Sequence, residues 1–160
     1  KENDLIQMNF PNRKPTFVEN IPEELIDGLS IKPDEVYCNN QAYFAVYQNE
    51  DDILNLKYKS EKLILLRPRD VVATSSSNSI EYDFISRYFW PANGGDEDPV
   101  TGSIHTGLAP FWAEQLSKNT LIALQSSKRT GVLYCEVNKD RVFISAQAVE
   151  YLEGYINIKE

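Results

Sequence analysis

The chain has 160 residues, 42% of them apolar and 25% charged, the balance of a single globular domain able to bury its own core. Sixteen basic against twenty-four acidic residues give a net charge of −8, which argues against a nucleic-acid partner, whose affinity rests on Lys and Arg neutralising phosphates. No run approaches the roughly 18 apolar residues of a membrane span, and Lys1-Glu2-Asn3-Asp4 lacks a signal peptide's basic start, so no membrane partner is expected.

Leu5 to Phe10 alternates and stops at Pro11, a strand ending in a turn. Pro22, Glu23 and Glu24 open a short helix that Gly28 ends. Glu35 to Gln48 reads as strand, with Asn39-Asn40 as a hairpin turn or bulge. Glu50-Asp51-Asp52 starts a helix with a solvated acidic face, and Ser60 to Leu66 forms another, ended before Pro68. Asp70 to Thr74 is a buried strand, Thr74 to Ser79 a loop, and Tyr82 to Trp90 an aromatic-rich strand. The aromatic set Tyr88, Phe89, Trp90, Phe111 and Trp112 is assigned to the core or to an interface. Pro91 to Gly102 is irregular. A helix then places Leu108, Phe111, Trp112 and Leu116 on one buried face, with Pro110 restricting its hydrogen bonding. Strands follow at Thr120–Gln125, Gly131–Val137, Arg141–Ala146 and Ala148–Ile158, with a turn at Asn138-Lys139-Asp140. Without long crossover helices, this is an antiparallel-rich α+β domain.

Cys38 and Cys135 have no partner spacing, which suits half-buried strand positions, a reducing compartment and the cytoplasm. One histidine and no clustered cysteines predict no metal site.

The chemistry concentrates between Asp83 and His105. Thr101-Gly102-Ser103 are small residues at a helix start, where the N–H groups of Gly102, Ser103 and Ile104 point outward as an anion site. The Ser103 hydroxyl adds a donor, and Asp98 lies close enough to bond a ligand or a catalytic partner. The same pattern also fits a capped helix, with Thr101 or Ser103 as N-cap. His105 suits either packing or cleft contact. Asp83 and Arg87 share a strand face and are expected to pair, with Glu97 a solvated neighbour of Asp98.

Asp83-Phe-x-Ser-Arg-x-Phe89, followed by Glu97-Asp-Pro-Val-Thr-Gly-Ser-x-His105, resembles the signature of the PhzF-like phenazine-biosynthesis isomerases. The resemblance continues through Leu108–Ala113, Gln125–Gly131 and Arg141–Ala148. It implies a diaminopimelate-epimerase-like fold, two lobes each wrapping a sheet round a central helix, with the site in the cleft between them. It implies no metal or organic cofactor, a homodimer, and a proton shift within a small carboxylate-bearing substrate such as a dihydro-hydroxyanthranilate. The family's aspartate and serine match Asp98 and Ser103 as catalytic residues, with Thr101, Gly102, Ile104 and His105 contacting substrate or anion. Its acid–base glutamate and a histidine belong to an amino-terminal lobe. Epimerase relatives carry a cysteine where this chain has Thr101, which disfavours a two-thiol racemase.

The chain departs from that pattern in length and at Thr130, where the family usually shows glycine. It reads as a carboxy-terminal lobe over 12–150, with 1–11 arriving from an amino-terminal lobe in cis or on a separate chain, and 151–160 a strand returning to it. The start at Lys1 rather than Met points the same way. Such a lobe is expected to be inactive alone. The alternatives are a non-catalytic module binding small anions or proteins, and a purely structural domain.

Overall fold

The computed structural model describes residues 5–158; Lys1–Asp4 and the last two residues of the expected terminal strand lie outside them. Ten strands run in one sheet: β1 (Leu5–Pro11), β2 (Thr16–Phe17), β3 (Glu35–Cys38), β4 (Ala42–Val46), β5 (Asp70–Ser76), β6 (Phe84–Phe89), β7 (Glu97–Asp98), β8 (Thr120–Gln125), β9 (Gly131–Asn138) and β10 (Arg141–Gln147). The helices are α1 (Glu23–Gly28), α2 (Glu50–Asn55), α3 (Ser60–Leu63) and α4 (His105–Leu116). The sheet order is β1-β10-β9-β8-β6-β5-β4-β3-β2, with β7 paired to β6. Only β4–β5 and β6–β8 are parallel.

Side-chain alternation decides what each face covers. On β4 and β5, Phe44 and Val72 turn inward to α4, while Ala45, Val71 and Ala73 turn outward to α1, α2 and α3. That part of the sheet is buried on both sides, so Asp70–Thr74 is buried at every residue, with Val71–Ala73 a continuous apolar run rather than an alternating one. On β9, by contrast, Leu133 and Cys135 face α4 while Tyr134 and Glu136 meet solvent. The sheet therefore curls round α4, whose residues from His105 to Ala113 are all buried.

Two features let a helix sit there. Pro110 has no N–H for the Thr106 carbonyl one turn back, and the Arg13 N–H takes that carbonyl instead at 3.0 Å. Gly107 lets α4 approach β4: a Cβ there would lie 2.6 Å from Phe44 Cζ and 3.0 Å from Asn39 Nδ2.

Several expectations change. Asp83 and Arg87 do not pair, because residues four apart on a strand are separated by about 13 Å. Arg87 instead makes a two-pronged bond to Glu97 at 2.8 Å and donates to the Ile53 and Leu56 carbonyls. Glu97 is thus an ion-pair partner, and Asp83 bonds Lys118 and the Ile122 N–H. Glu50 likewise accepts from Ser77 and Asn78 rather than being merely solvated. Leu116 is 37% exposed, since α4 runs past the sheet in its last turn. The strand expected over Ala148–Ile158 does not form: 148–158 pair with nothing among the described residues, and Tyr151, Leu152, Tyr155 and Ile156 are exposed. β1 is hydrogen-bonded along its length to β10.

Thr130 adopts φ 61°, a left-handed conformation that a β-branched residue resists. Thr130→Gly is expected to raise unfolding stability by about 0.5–1 kcal/mol, after the greater entropy of glycine in the unfolded chain is deducted. Gly107→Ala is expected to lower it by about 1–3 kcal/mol through overpacking against Phe44. Urea titration of both variants beside the wild type measures the two shifts, whose opposite signs are the expected result.

Candidate active site at the amino end of the central helix

The segment from Asp98 to His105 is held by bonds that few local sequence rules would anticipate. Gln125, fully buried on β8, accepts the Thr101 N–H at 2.8 Å and donates Nε2 to the Asp98 carbonyl at 2.7 Å. The Thr101 hydroxyl donates to Asp98 Oδ2 at 2.5 Å. The Thr101 carbonyl accepts from His105 Nδ1 at 2.8 Å. Every polar group of Thr101 is therefore engaged within the protein. It fastens the loop to Gln125, Asp98 and His105.

His105 is likewise internal. It is 0% exposed, packs beside Phe84, and its Nε2 has no hydrogen-bond partner among the described residues. A carbonyl only accepts, so the neutral ring carries its proton on Nδ1. Burial pushes its pKa down to about 4, and the bond to the Thr101 carbonyl offsets this only partly. The substrate contact expected of His105 is not available in this structure.

The N–H groups of Gly102, Ser103 and Ile104 all lack a partner among the described residues, but Ile104 is fully buried, so the outward donors are those of Gly102 and Ser103. Neither Thr101 nor Ser103 caps α4 with its side chain. Ser103 stands exposed on the rim, and its Oγ accepts from Gln41 Nε2 at 2.9 Å. Asp98 is half-buried beside it, on a strand pair that sets it opposite Tyr88. Its Oδ1 has no partner among the described residues. The sequence pointed to Asp98, Gly102 and Ser103; it gave no sign of Gln41, and Gln125 entered only as the first residue of a segment carrying the family resemblance, with nothing to link it to Thr101.

A groove of about 410 Å³ lies behind this segment, lined by Val100, Arg129, Thr130, Gly131 and Tyr134 among others, and it includes neither Asp98 nor Ser103. Among the described residues no group of three or more His, Cys, Asp or Glu could hold a metal. Among the same residues no helix is long and apolar enough to cross a membrane.

The family profile for phenazine biosynthesis-like proteins, PhzC–PhzF, matches residues 1–154. The chain belongs to this family. Over 154 residues it is 43% identical to a Halalkalibacterium halodurans protein named an uncharacterized isomerase, covering 96% of this chain and 58% of the relative. A Pseudomonas aeruginosa protein of the same description is 39% identical, with 99% and 60% covered. The crystal structure of a phenazine biosynthesis PhzC/PhzF protein from Clostridium difficile superposes with a TM-score of 0.84 at 33% identity, covering 98% of this chain and 60% of that one. An Enterococcus faecalis protein of the PhzF family gives 0.85 at 34% identity, with 92% and 55% covered. The fold is the α+β, diaminopimelate-epimerase-like one, and the chain spans about 60% of the length of these curated relatives.

The buried neutral His105 has a consequence for stability. Its pKa is depressed on folding, so between pH 6.5 and about 4 the unfolded chain binds a proton that the folded chain does not. Stability therefore falls as pH drops through that window, and this one group contributes on the order of 3 kcal/mol to the loss. Denaturant unfolding at pH 7 and pH 4.5 is expected to show a steeper decline for wild type than for His105→Leu. Equal declines would place the imidazole in water.

Proposed function

We propose that this chain supplies one side of the active site of a cofactor-independent isomerase that moves a proton within a small carboxylate-bearing substrate. The observation that carries the reading is the convergence, at the amino end of α4, of unpartnered donors and one free carboxylate oxygen. Gly102 and Ser103 offer two N–H groups, and the partial positive charge of the helix end favours an anion there. Asp98 Oδ1 is left to accept from the substrate or from a proton-transfer partner, because Thr101 holds only Oδ2. The relatives named isomerases support the same class of reaction.

In this reading the substrate carboxylate sits on Gly102 and Ser103, and Asp98 orients the group that carries the proton. In this reading no thiol of these 160 residues takes part: Cys38 and Cys135 lie on β3 and β9, and the position at the helix start is held by Thr101, whose hydroxyl is engaged with Asp98. Moving a proton between carbon positions requires a base within hydrogen-bond reach of the C–H. The family resemblance assigns that base to an amino-terminal lobe, in cis or on a separate chain, so these 160 residues are expected to be inactive alone. The exposed apolar side chains of 151–158 suit a strand whose partner lies in that lobe. A homodimer is part of the same proposal.

The test is an NMR titration of the ¹⁵N-labelled chain with anthranilate as a carboxylate-bearing probe. The amide signals of Gly102 and Ser103 are expected to move most. Ser103→Ala should weaken binding by about threefold to tenfold, one hydrogen bond at a wet site, while Asp98→Asn should leave it nearly unchanged. Shifts confined to other residues would overturn the assignment. Turnover of a dihydro-hydroxyanthranilate by the isolated chain would place the base within these residues and make Asp98 the candidate.

A further inference from the structure

The site reaches further than its motif. Behind Ser103 runs a line of side chains from three distant parts of the sequence. Gln41 Nε2 lies 2.9 Å from Ser103 Oγ and 3.3 Å from Tyr88 Oη. Tyr88 Oη lies 2.6 Å from Asp70 Oδ2, and Asn93 Nδ2 bonds the other oxygen of Asp70 at 2.8 Å. Tyr88 and Asp70 are both buried, and Gln41 is half-buried.

The directions of these bonds follow from what each group can do. A carboxylate only accepts, so the single phenolic proton of Tyr88 points to Asp70. Tyr88 Oη is then left as an acceptor, and Gln41 must turn its NH₂ rather than its carbonyl towards it. The second N–H of that NH₂ goes to Ser103 Oγ, which accepts. The Ser103 proton is therefore free to point out of the protein.

The backbone of Gln41 is fixed in place for this. Asn39 Oδ1 accepts the N–H groups of Gln41 and Ala42, and the Gln41 carbonyl accepts the Asp70 N–H at 3.0 Å.

We propose that Asp70, Tyr88 and Gln41 are positioning residues that keep the Ser103 proton available to the ligand, so that this corner of the site favours a ligand group that accepts hydrogen bonds. The proposal rests on the anion-binding reading of Gly102 and Ser103 and adds the device that sets its polarity. A carboxylate or an enolate oxygen takes up that proton; an ammonium or an amide N–H aimed at Ser103 meets only the second lone pair of Oγ and leaves the proton unused.

A double-mutant cycle tests it, with benzoate as the probe and NMR titration of the 160-residue chain as the readout. Tyr88→Phe releases the Gln41 amide to turn either way, and Gln41→Met removes it. Each is expected to weaken benzoate binding about threefold when Ser103 is present. Each should have no effect in the Ser103→Ala background, because the influence passes only through that hydroxyl. A disturbance of folding or loop shape would instead weaken binding equally in both backgrounds, and that result overturns the proposal. So does an unchanged affinity for both variants while Ser103→Ala alone still weakens binding. If Ser103→Ala has no effect while benzoate still moves the Gly102 and Ser103 amide signals, the hydroxyl takes no part and this inference fails alone; if those signals do not move, the anion-binding reading fails and takes this inference with it. A dispersed amide spectrum from each variant checks that it has folded.

Discussion

One buried amide holds the site to the scaffold. Gln125 meets the chain twice, at the Asp98 carbonyl and at the Thr101 N–H, and so fixes both ends of the short loop that precedes α4. Its own strand, β8, packs Leu121 and Ala123 against that helix. Loop, helix and strand are thereby locked to one another by a group that no solvent reaches. Inside a protein such a bond gains from the low dielectric, and leaving either partner unmet is correspondingly expensive. The irregular stretch between Pro91 and Gly102 can end in a defined geometry because its last residues are bonded to a regular strand.

Thr101 and His105 extend the same constraint into the helix. His105 carries its ring inside the core and uses Nδ1 to hold the Thr101 carbonyl one turn back. A neutral imidazole suits that place, since a charged one would have to be desolvated. Thr101 thus has its N–H, carbonyl and hydroxyl tied to Gln125, His105 and Asp98 respectively. What remains unspent at the helix end is Gly102 and Ser103, the two residues on the rim. The net charge of −8 does not oppose an anion there, because a site made of backbone donors acts over the first turn only.

The parts of the molecule legible in the sequence are those whose physics is local. The hairpin turn at Asn39-Asn40, the acidic helix starts and the Asp98–Ser103 motif were all readable from short spacings. The pairs that decide the site were not. Gln41 is 62 residues from Ser103 and Gln125 is 24 from Thr101, and an isolated glutamine carries no periodicity. The Asp83–Arg87 expectation failed for a different reason: a shared strand face was read as proximity, although four residues of extended chain separate the two. Arg87 found Glu97 across the β6–β7 pair instead. The segment 148–158 has strand-like composition, yet an extended chain needs a neighbour to bond, and β10 already has β1 and β9 on its two sides.

These observations bear on how the helix end presents its ligand group. A serine at a wet helix terminus ordinarily turns its hydroxyl to whichever partner is at hand, so its donor or acceptor role is set by the ligand. Here the line behind it, ending on a carboxylate two bonds further in, occupies one lone pair and leaves the proton for the ligand. Asp70 is buried on the first residue of β5, and Tyr88 reaches it from β6, the adjacent antiparallel strand. The Tyr88 phenol is raised well above its usual range by burial and then by the bond to Asp70, so it keeps its proton and the direction of the line does not reverse. The donor that a surface hydroxyl offers is thus kept free by the register of two core strands, and the sheet that wraps α4 also shapes what the exposed end of α4 binds.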